Sequence, residues 1–125
     1  MQPDLIQWSA NMQIADFLAK LEQTPEAVSF QDTMAVIEAN YNFTPTAFRN
    51  GELHNEAGQN SGSCKLLSFA SLQQLSTAKT LHCFGDYYRK DVLEHPTAND
   101  HQNIRNFIRF GWEGVVFNGT ALSPL

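Results

Sequence analysis

The sequence predicts a mainly α single domain, a bundle of about five helices with a long ordered polar loop and room for one minor short extended or β element. Three observations lead there. Apolar residues recur at helical spacing through both halves of the chain, while residues 43–65 are rich in Asn and Gly. A chain of 125 residues with 42% hydrophobic content builds one core and not two, so residues 1–125 are read as one domain. Nine Phe, three Tyr and two Trp supply the apolar payload, each buried ring being worth about 1.5–3 kcal/mol before conformational entropy is counted.

In chain order, Met12, Ile14, Phe17, Leu18 and Leu21 follow the i, i+3/i+4, i+7 pattern and predict a first helix from Ser9 to about Glu22, opened by Ser9 or Asn11. Thr24-Pro25 stops it and restarts the chain. Ser29 with Asp32 resembles a capping box, and Phe30, Met34, Ile37 and Tyr41 form the apolar stripe of a second helix that ends over Asn40 to Phe43. The loop follows. Pro45 and Asn50-Gly51 break any helix across it, with Thr44 to Arg49 as the short extended piece, and its ends are anchored by Phe43, Phe48 and Cys64-Lys-Leu-Leu. Leu66, Phe69, Ala70 and Leu72 predict a helix over Lys65 to Leu75. Ser76-Thr77 punctuates before a further helix through Leu93, in which Gly85 signals a kink or close packing. His95-Pro96 ends that helix, and Asn99-Asp100 caps a last one with Ile104, Phe107 and Ile108 inward and Gly111 at its end. The tail Trp112 to Phe117 reads as an extended segment that buries Trp112, Val115, Val116 and Phe117.

A net charge of −5 and a pI near 5.2 argue against nucleic acid and against an anionic membrane surface, both of which require a positive field. The N-terminus has no basic stretch followed by an apolar one, and no apolar run approaches the roughly 18 residues that span a bilayer. A cytoplasmic location is the expectation. Cys64 and Cys83, the two cysteines, are read as free thiols in a reducing compartment.

The blocks Phe43-Thr-Pro-Thr-Ala-Phe-Arg-Asn-Gly51, Asn55-Glu-Ala-Gly-Gln-Asn-Ser-Gly-Ser-Cys-Lys65, Cys83-Phe-Gly-Asp-Tyr-Tyr-Arg-Lys-Asp-Val-Leu93, Asp100-His-Gln-Asn-Ile-Arg105 and Gly111-Trp112 resemble, in order and over most of the chain, the HopJ family, named after a type III secreted effector of plant-pathogenic bacteria. The resemblance implies secretion into a host for some relatives. It implies no biochemical activity, because the family has no agreed one.

Two functional readings follow from the residues. In the first, the chain is a non-enzymatic domain that binds a protein or small-molecule partner through the loop. Asn50, Asn55, Asn60, Ser63 and Lys65 are its candidate contacts, and Tyr87-Tyr88-Arg89 with Asn103-x-Arg105 is a candidate lining for an anionic ligand through Tyr88, Arg89 and Arg105. The plain alternatives are Asx turns for the amides and local charge pairs for the arginines. In the second, Cys64 at a helix start, beside Lys65, is a thiolate nucleophile with His54 or His101 as base, as in a cysteine-dependent hydrolase or transferase, or else a redox sensor needing no histidine. The plain alternative is a buried small hydrophobe. No cofactor is expected, and no metal, because His54, His82, His95 and His101 lack ligand spacing.

Overall fold

The computed structural model describes residues 13–125; the expected helix start at Ser9 or Asn11, and Met12, lie outside them. Helix α1 (Ile14–Gln23) buries Phe17 and Leu21, and Thr24 and Pro25 lead into a 3-10 turn, Pro25–Ala27, with Pro at its first position. Helix α2 (Phe30–Asn40) opens on a complete capping box. The Ser29 hydroxyl accepts from the Asp32 N–H at 3.0 Å, and the Asp32 carboxylate accepts from the Ser29 N–H at 3.1 Å and from Lys20 Nζ at 2.8 Å. That carboxylate ties α1 to α2; burial raises its pKa, but the Lys20 and Ser29 donors outweigh burial and hold it below its ordinary value.

The middle of the chain is where expectation and structure part. Instead of a long loop, strands β1 (Tyr41–Phe43), β2 (Phe48–Asn50) and β3 (Leu53–Asn55) follow. β2 and β3 form a hairpin across Gly51-Glu52, with Gly51 at φ 62° as the first central residue of the two-residue turn. Near the C-terminus, β4 (Val115–Phe117) pairs antiparallel with β2, and β5 (Leu122–Pro124) pairs antiparallel with β1. The result is a three-stranded sheet of order β3-β2-β4 and a two-stranded one, β1-β5. The bundle of about five helices with a long polar loop is thus corrected to a mixed α/β domain that is mainly helical. Strands of three residues are too short to display a period of two, and their inward amides, Asn50 and Asn55, disguise a buried face as a polar one.

Helix α3 (Ser61–Leu72) starts four residues earlier than expected and is the most buried of the helices described, with Leu66, Leu67, Phe69 and Ala70 at 0% exposure. Ser76 caps α4 (Thr77–His82) by accepting from the Lys79 N–H. The expected single helix through Leu93 is broken at Gly85, where φ is 66° and an added Cβ would sit 2.6 Å from the Phe30 backbone nitrogen. Beyond it the chain makes a π-helical turn, Tyr87–Val92. Helix α5 (Gln102–Phe110) takes His101, not Asn99 or Asp100, as its N-cap and ends at Gly111, φ 64°. Ile104 and Phe107 are buried, but Ile108 is 44% and Val116 46% exposed, correcting their inward placement. Val116 alternates outward between Val115 and Phe117, as strand geometry requires. One core unites the helices and both sheets, with Trp112 tied to it through Nε1 donating to the Leu75 carbonyl at 2.8 Å.

Candidate functional site

The amides of the central segment meet a partner from the far end of the chain. Asn103, on the first turn of α5, accepts on Oδ1 from Asn50 Nδ2 at 3.0 Å and Asn55 Nδ2 at 3.3 Å, and donates through Nδ2 to Asn55 Oδ1 at 3.0 Å. The Asn103 backbone carbonyl accepts a further bond from Asn50 Nδ2 at 2.7 Å. Asn60 Nδ2 completes the group, donating to Asn55 Oδ1 at 2.6 Å. Asn50 and Asn55 are fully buried, and Asn50 Oδ1 is the buried side-chain polar atom without a partner among the described residues. This network joins the hairpin to the starts of α3 and α5.

Its consequence is felt at those helix starts. An Asn at an N-cap ordinarily accepts from the first-turn N–H groups. Here Asn60 sits at φ 53° with its side chain turned to Asn55, so it gives α3 no side-chain cap. His101, at φ 50°, likewise gives α5 none: its Nε2 lies 3.1 Å from Asp91 Oδ2, and its ring is 5.2 Å from that of Tyr87. The N–H groups of Ser61, Gly62 and Ser63, and of Gln102 and Asn103, accordingly have no backbone or side-chain acceptor among the described residues. Neither first turn carries an acidic residue to offset the positive end of its helix.

Both helix starts line one cleft of about 390 Å³. Gly62, Ser63, His101, Gln102, Asn103 and the Asn60 side of the network form its polar part; Phe30, Phe84 and Tyr87, with Leu53 and Ile104, form its apolar part. Phe30 and Tyr87 meet edge to face with centroids 5.3 Å apart. No Lys, Arg, Asp or Glu lines it. A second hollow of about 430 Å³, between Leu75, Trp112 and Phe117, offers Ser71 and Gln74 as its polar side chains and no comparable set of open donors.

The remaining candidates lie apart. Cys64 is the fourth residue of α3 and is 1% exposed, its thiol donating to the Thr46 carbonyl at 3.5 Å. Burial pushes its pKa up, against a smaller lowering by that carbonyl contact. Cys83, fully buried, is pushed up to about 12 by burial, opposed by Thr33. His54 is paired with Glu56 at 3.0 Å on the exposed face of β3. His101 lines the cleft. Neither histidine is the partner of the Cys64 thiol. Lys65 lies 5.0 Å from the Phe43 ring centroid and 3.8 Å from Glu38. Arg89 donates to the carbonyls of Pro25, Val28 and His82, fastening the π-helical turn to the α1–α2 connection. Tyr88 packs edge-on to His82. Arg105 clamps the approach to α5 by donating to the His95 and Asp100 carbonyls and to the Asp100 carboxylate. The structure therefore brings Asn60, Ser63 and His101 together with Tyr87 and Asn103, while Arg89 and Arg105 are occupied by backbone oxygens.

Phe30, Leu53, Gly62, Phe84 and Gln102 were absent from the sequence candidates. Phe30 carries the helical stripe of α2 and reads as core; nothing local marks it as a cleft wall. Among the described residues no group of three or more His, Cys, Asp or Glu is placed to hold a metal ion. No helix described is long and apolar enough to cross a membrane.

Comparison with known proteins agrees on the fold and supplies no reaction. The family model described as HopJ type III effector protein matches residues 14–122. The crystal structure of the unknown-function protein VPA0580 superposes with a TM-score of 0.91 at 52% sequence identity, covering 92% of this chain and 96% of that one. No curated protein matches the chain.

Proposed function

Because the chain belongs to the HopJ type III effector protein family, whose description names a route of delivery and no reaction, we propose that it is a non-enzymatic binding domain. Its ligand is a small molecule with an apolar face and hydrogen-bond acceptor oxygens, held in the cleft beside Asn60 and His101. The observation that carries this reading is the pairing, in one cleft, of open backbone donors at two helix starts with the rings of Phe30, Phe84 and Tyr87. Its volume of about 390 Å³ falls within the range of small-ligand pockets, roughly 300–1,000 Å³. Unmade hydrogen bonds at a partly shielded helix end favour a ligand that supplies acceptors. The buried amide network fixes both helix starts in advance, which lowers the ordering cost of binding.

Support for a non-enzymatic role comes from the thiols. A nucleophilic cysteine requires access and a lowered pKa, whereas Cys64 is buried and its pKa is raised. Export through a type III apparatus is carried over from the family's description, and residence in the cytoplasm beforehand is the sequence-based part of the same reading. Secretion of the full chain from strains with and without a working apparatus tests that part.

The binding test uses two probes of equal bulk and opposite hydrogen-bonding character, benzoate and benzylamine, followed by titration calorimetry. Benzoate is expected to bind saturably and benzylamine not. Gly62→Val is expected to abolish benzoate binding, since even a Cβ at Gly62 would lie 2.9 Å from Phe30 Cζ. Equal binding of both probes, or unchanged benzoate affinity in a Gly62→Val protein that still unfolds cooperatively, contradicts the proposal.

A further inference from the structure

The chain contains the dipeptide Asn-Gly twice, at Asn50-Gly51 and Asn118-Gly119, and the fold treats the two in opposite ways. We propose that Asn118-Gly119 is a site of spontaneous self-modification, deamidating through a cyclic imide, and that Asn50-Gly51 is protected from the same reaction by its hydrogen bonds. In the reaction the Gly119 backbone nitrogen gives up its proton and attacks Asn118 Cγ. A new C–N bond closes a five-membered imide, the Cγ–Nδ2 bond breaks, and ammonia leaves with the proton. Water, the one co-reactant, then opens the imide at either carbonyl, giving aspartate or isoaspartate. Glycine as the following residue makes this path accessible, because it has no Cβ to obstruct the attack or to restrict the backbone.

At Asn118 neither burial nor a hydrogen bond among the described residues holds the reacting groups. Asn118, Gly119 and Thr120 are all exposed, in the connection between β4 and β5. The Asn118 side-chain amide has no hydrogen-bond partner among the described residues, and neither does the Gly119 N–H have a backbone acceptor there. The residues that carry the nucleophile and the leaving group are both exposed, and a Cβ built on Gly119 meets nothing closer than Thr46 Cγ2 at 3.7 Å, so the surroundings leave space for the ring to close.

At Asn50 each requirement is blocked. The residue is 0% exposed. Its Nδ2, the atom that would leave, donates to the Asn103 carbonyl at 2.7 Å and to Asn103 Oδ1 at 3.0 Å. The Gly51 N–H, the would-be nucleophile, donates to the Gly114 carbonyl at 2.9 Å. Gly51 is moreover pressed against Phe110, whose ring a Cβ would meet at 2.3 Å. Closing the imide at this site requires the hairpin to leave α5.

The modification has a structural consequence. Isoaspartate lengthens the main chain in a connection that leads directly to the buried Ala121 and Leu122 and to the pairing of β5 with β1. Aged protein is therefore expected to lose protection at the Thr44 N–H, which donates to the Ala121 carbonyl.

The test is incubation of the full chain at mildly alkaline pH and physiological temperature, with peptide mapping by mass spectrometry over days. The same incubation in concentrated urea removes the fold as a variable, and Asn118→Gln serves as the site control. The expected result is conversion at Asn118 with Asn50 intact in the native protein, conversion at both sites in urea, and no conversion at position 118 in the Asn118→Gln protein. Equal conversion of Asn50 and Asn118 in the native protein, or an Asn118 that converts in urea but stays intact in the native protein, overturns the proposal.

Discussion

Asn103 is the residue on which the site turns. Its amide serves Asn50 and Asn55 at once, and its N–H stands open at the start of α5. An Asn103→Ala protein keeps the backbone bond from Asn50 but leaves the buried side-chain amide of Asn55 short of partners. Each buried group orphaned in this way costs about 1–3 kcal/mol. Chemical denaturation is expected to show a loss in that range; a loss below about 0.5 kcal/mol, the size of an ordinary surface substitution, contradicts the role given to the network. Amides crowded into one segment drew attention to Asn50, Asn55 and Asn60 in the sequence, as ligand contacts or as Asx turns. What they bind was not legible. Asn103, the common partner of Asn50 and Asn55, lies 48 to 53 residues away, and no local pattern announces it; Asn60 joins only through Asn55. For Arg89 the reason is the same, since the Val28 and Pro25 carbonyls it donates to lie 61 and 64 positions earlier in the chain; Arg105 instead takes the local charge pair, donating to Asp100 five residues before it.

At the scale of elements, short-range signals were the readable ones. The capping box at Ser29 and Asp32, the Pro25 restart, the break at Ser76-Thr77 and the Gly111 stop each depend on neighbours within four residues, and each is present, whereas the cap expected at Asn99-Asp100 falls on His101. Gly85 was legible as an anomaly, but its effect is larger than a kink. It ends one helical segment and lets the chain pass directly over the start of α2, which sets Phe30 beside Tyr87 in the cleft. Gly85→Ala would both strain a φ of 66° and press a Cβ to 2.6 Å from the Phe30 nitrogen. Such a substitution costs more than the 0.4–1 kcal/mol that alanine gains by stiffening the unfolded chain. Thermal unfolding is expected to show a clear net destabilisation, and a Gly85→Ala protein as stable as the parent would remove the case for this close approach. The strands escaped notice because each is three residues long, less than two full periods of alternation.

For the whole molecule, the sheets record contacts between distant parts of the chain. β4 returns to β2, and β5 to β1, across the full set of later helices. The helical core was legible in the periodicity of Phe17, Leu21, Ile37, Leu66, Phe69 and Phe107, all of which are buried. This long-range closure was not, because pairing depends on shape and register that a linear pattern does not encode. The closure also frames the cleft: β4 pairs with the hairpin at β2 and the amide network ties the hairpin to α5, so two helices far apart in sequence present their open ends together. The most direct measurement of that claim is amide chemical-shift mapping of isotopically labelled protein titrated with benzoate. Saturable shifts centred on Gly62, Ser63, Gln102 and Asn103 are predicted. Shifts that do not saturate, or that centre instead on Leu75 and Trp112, contradict it.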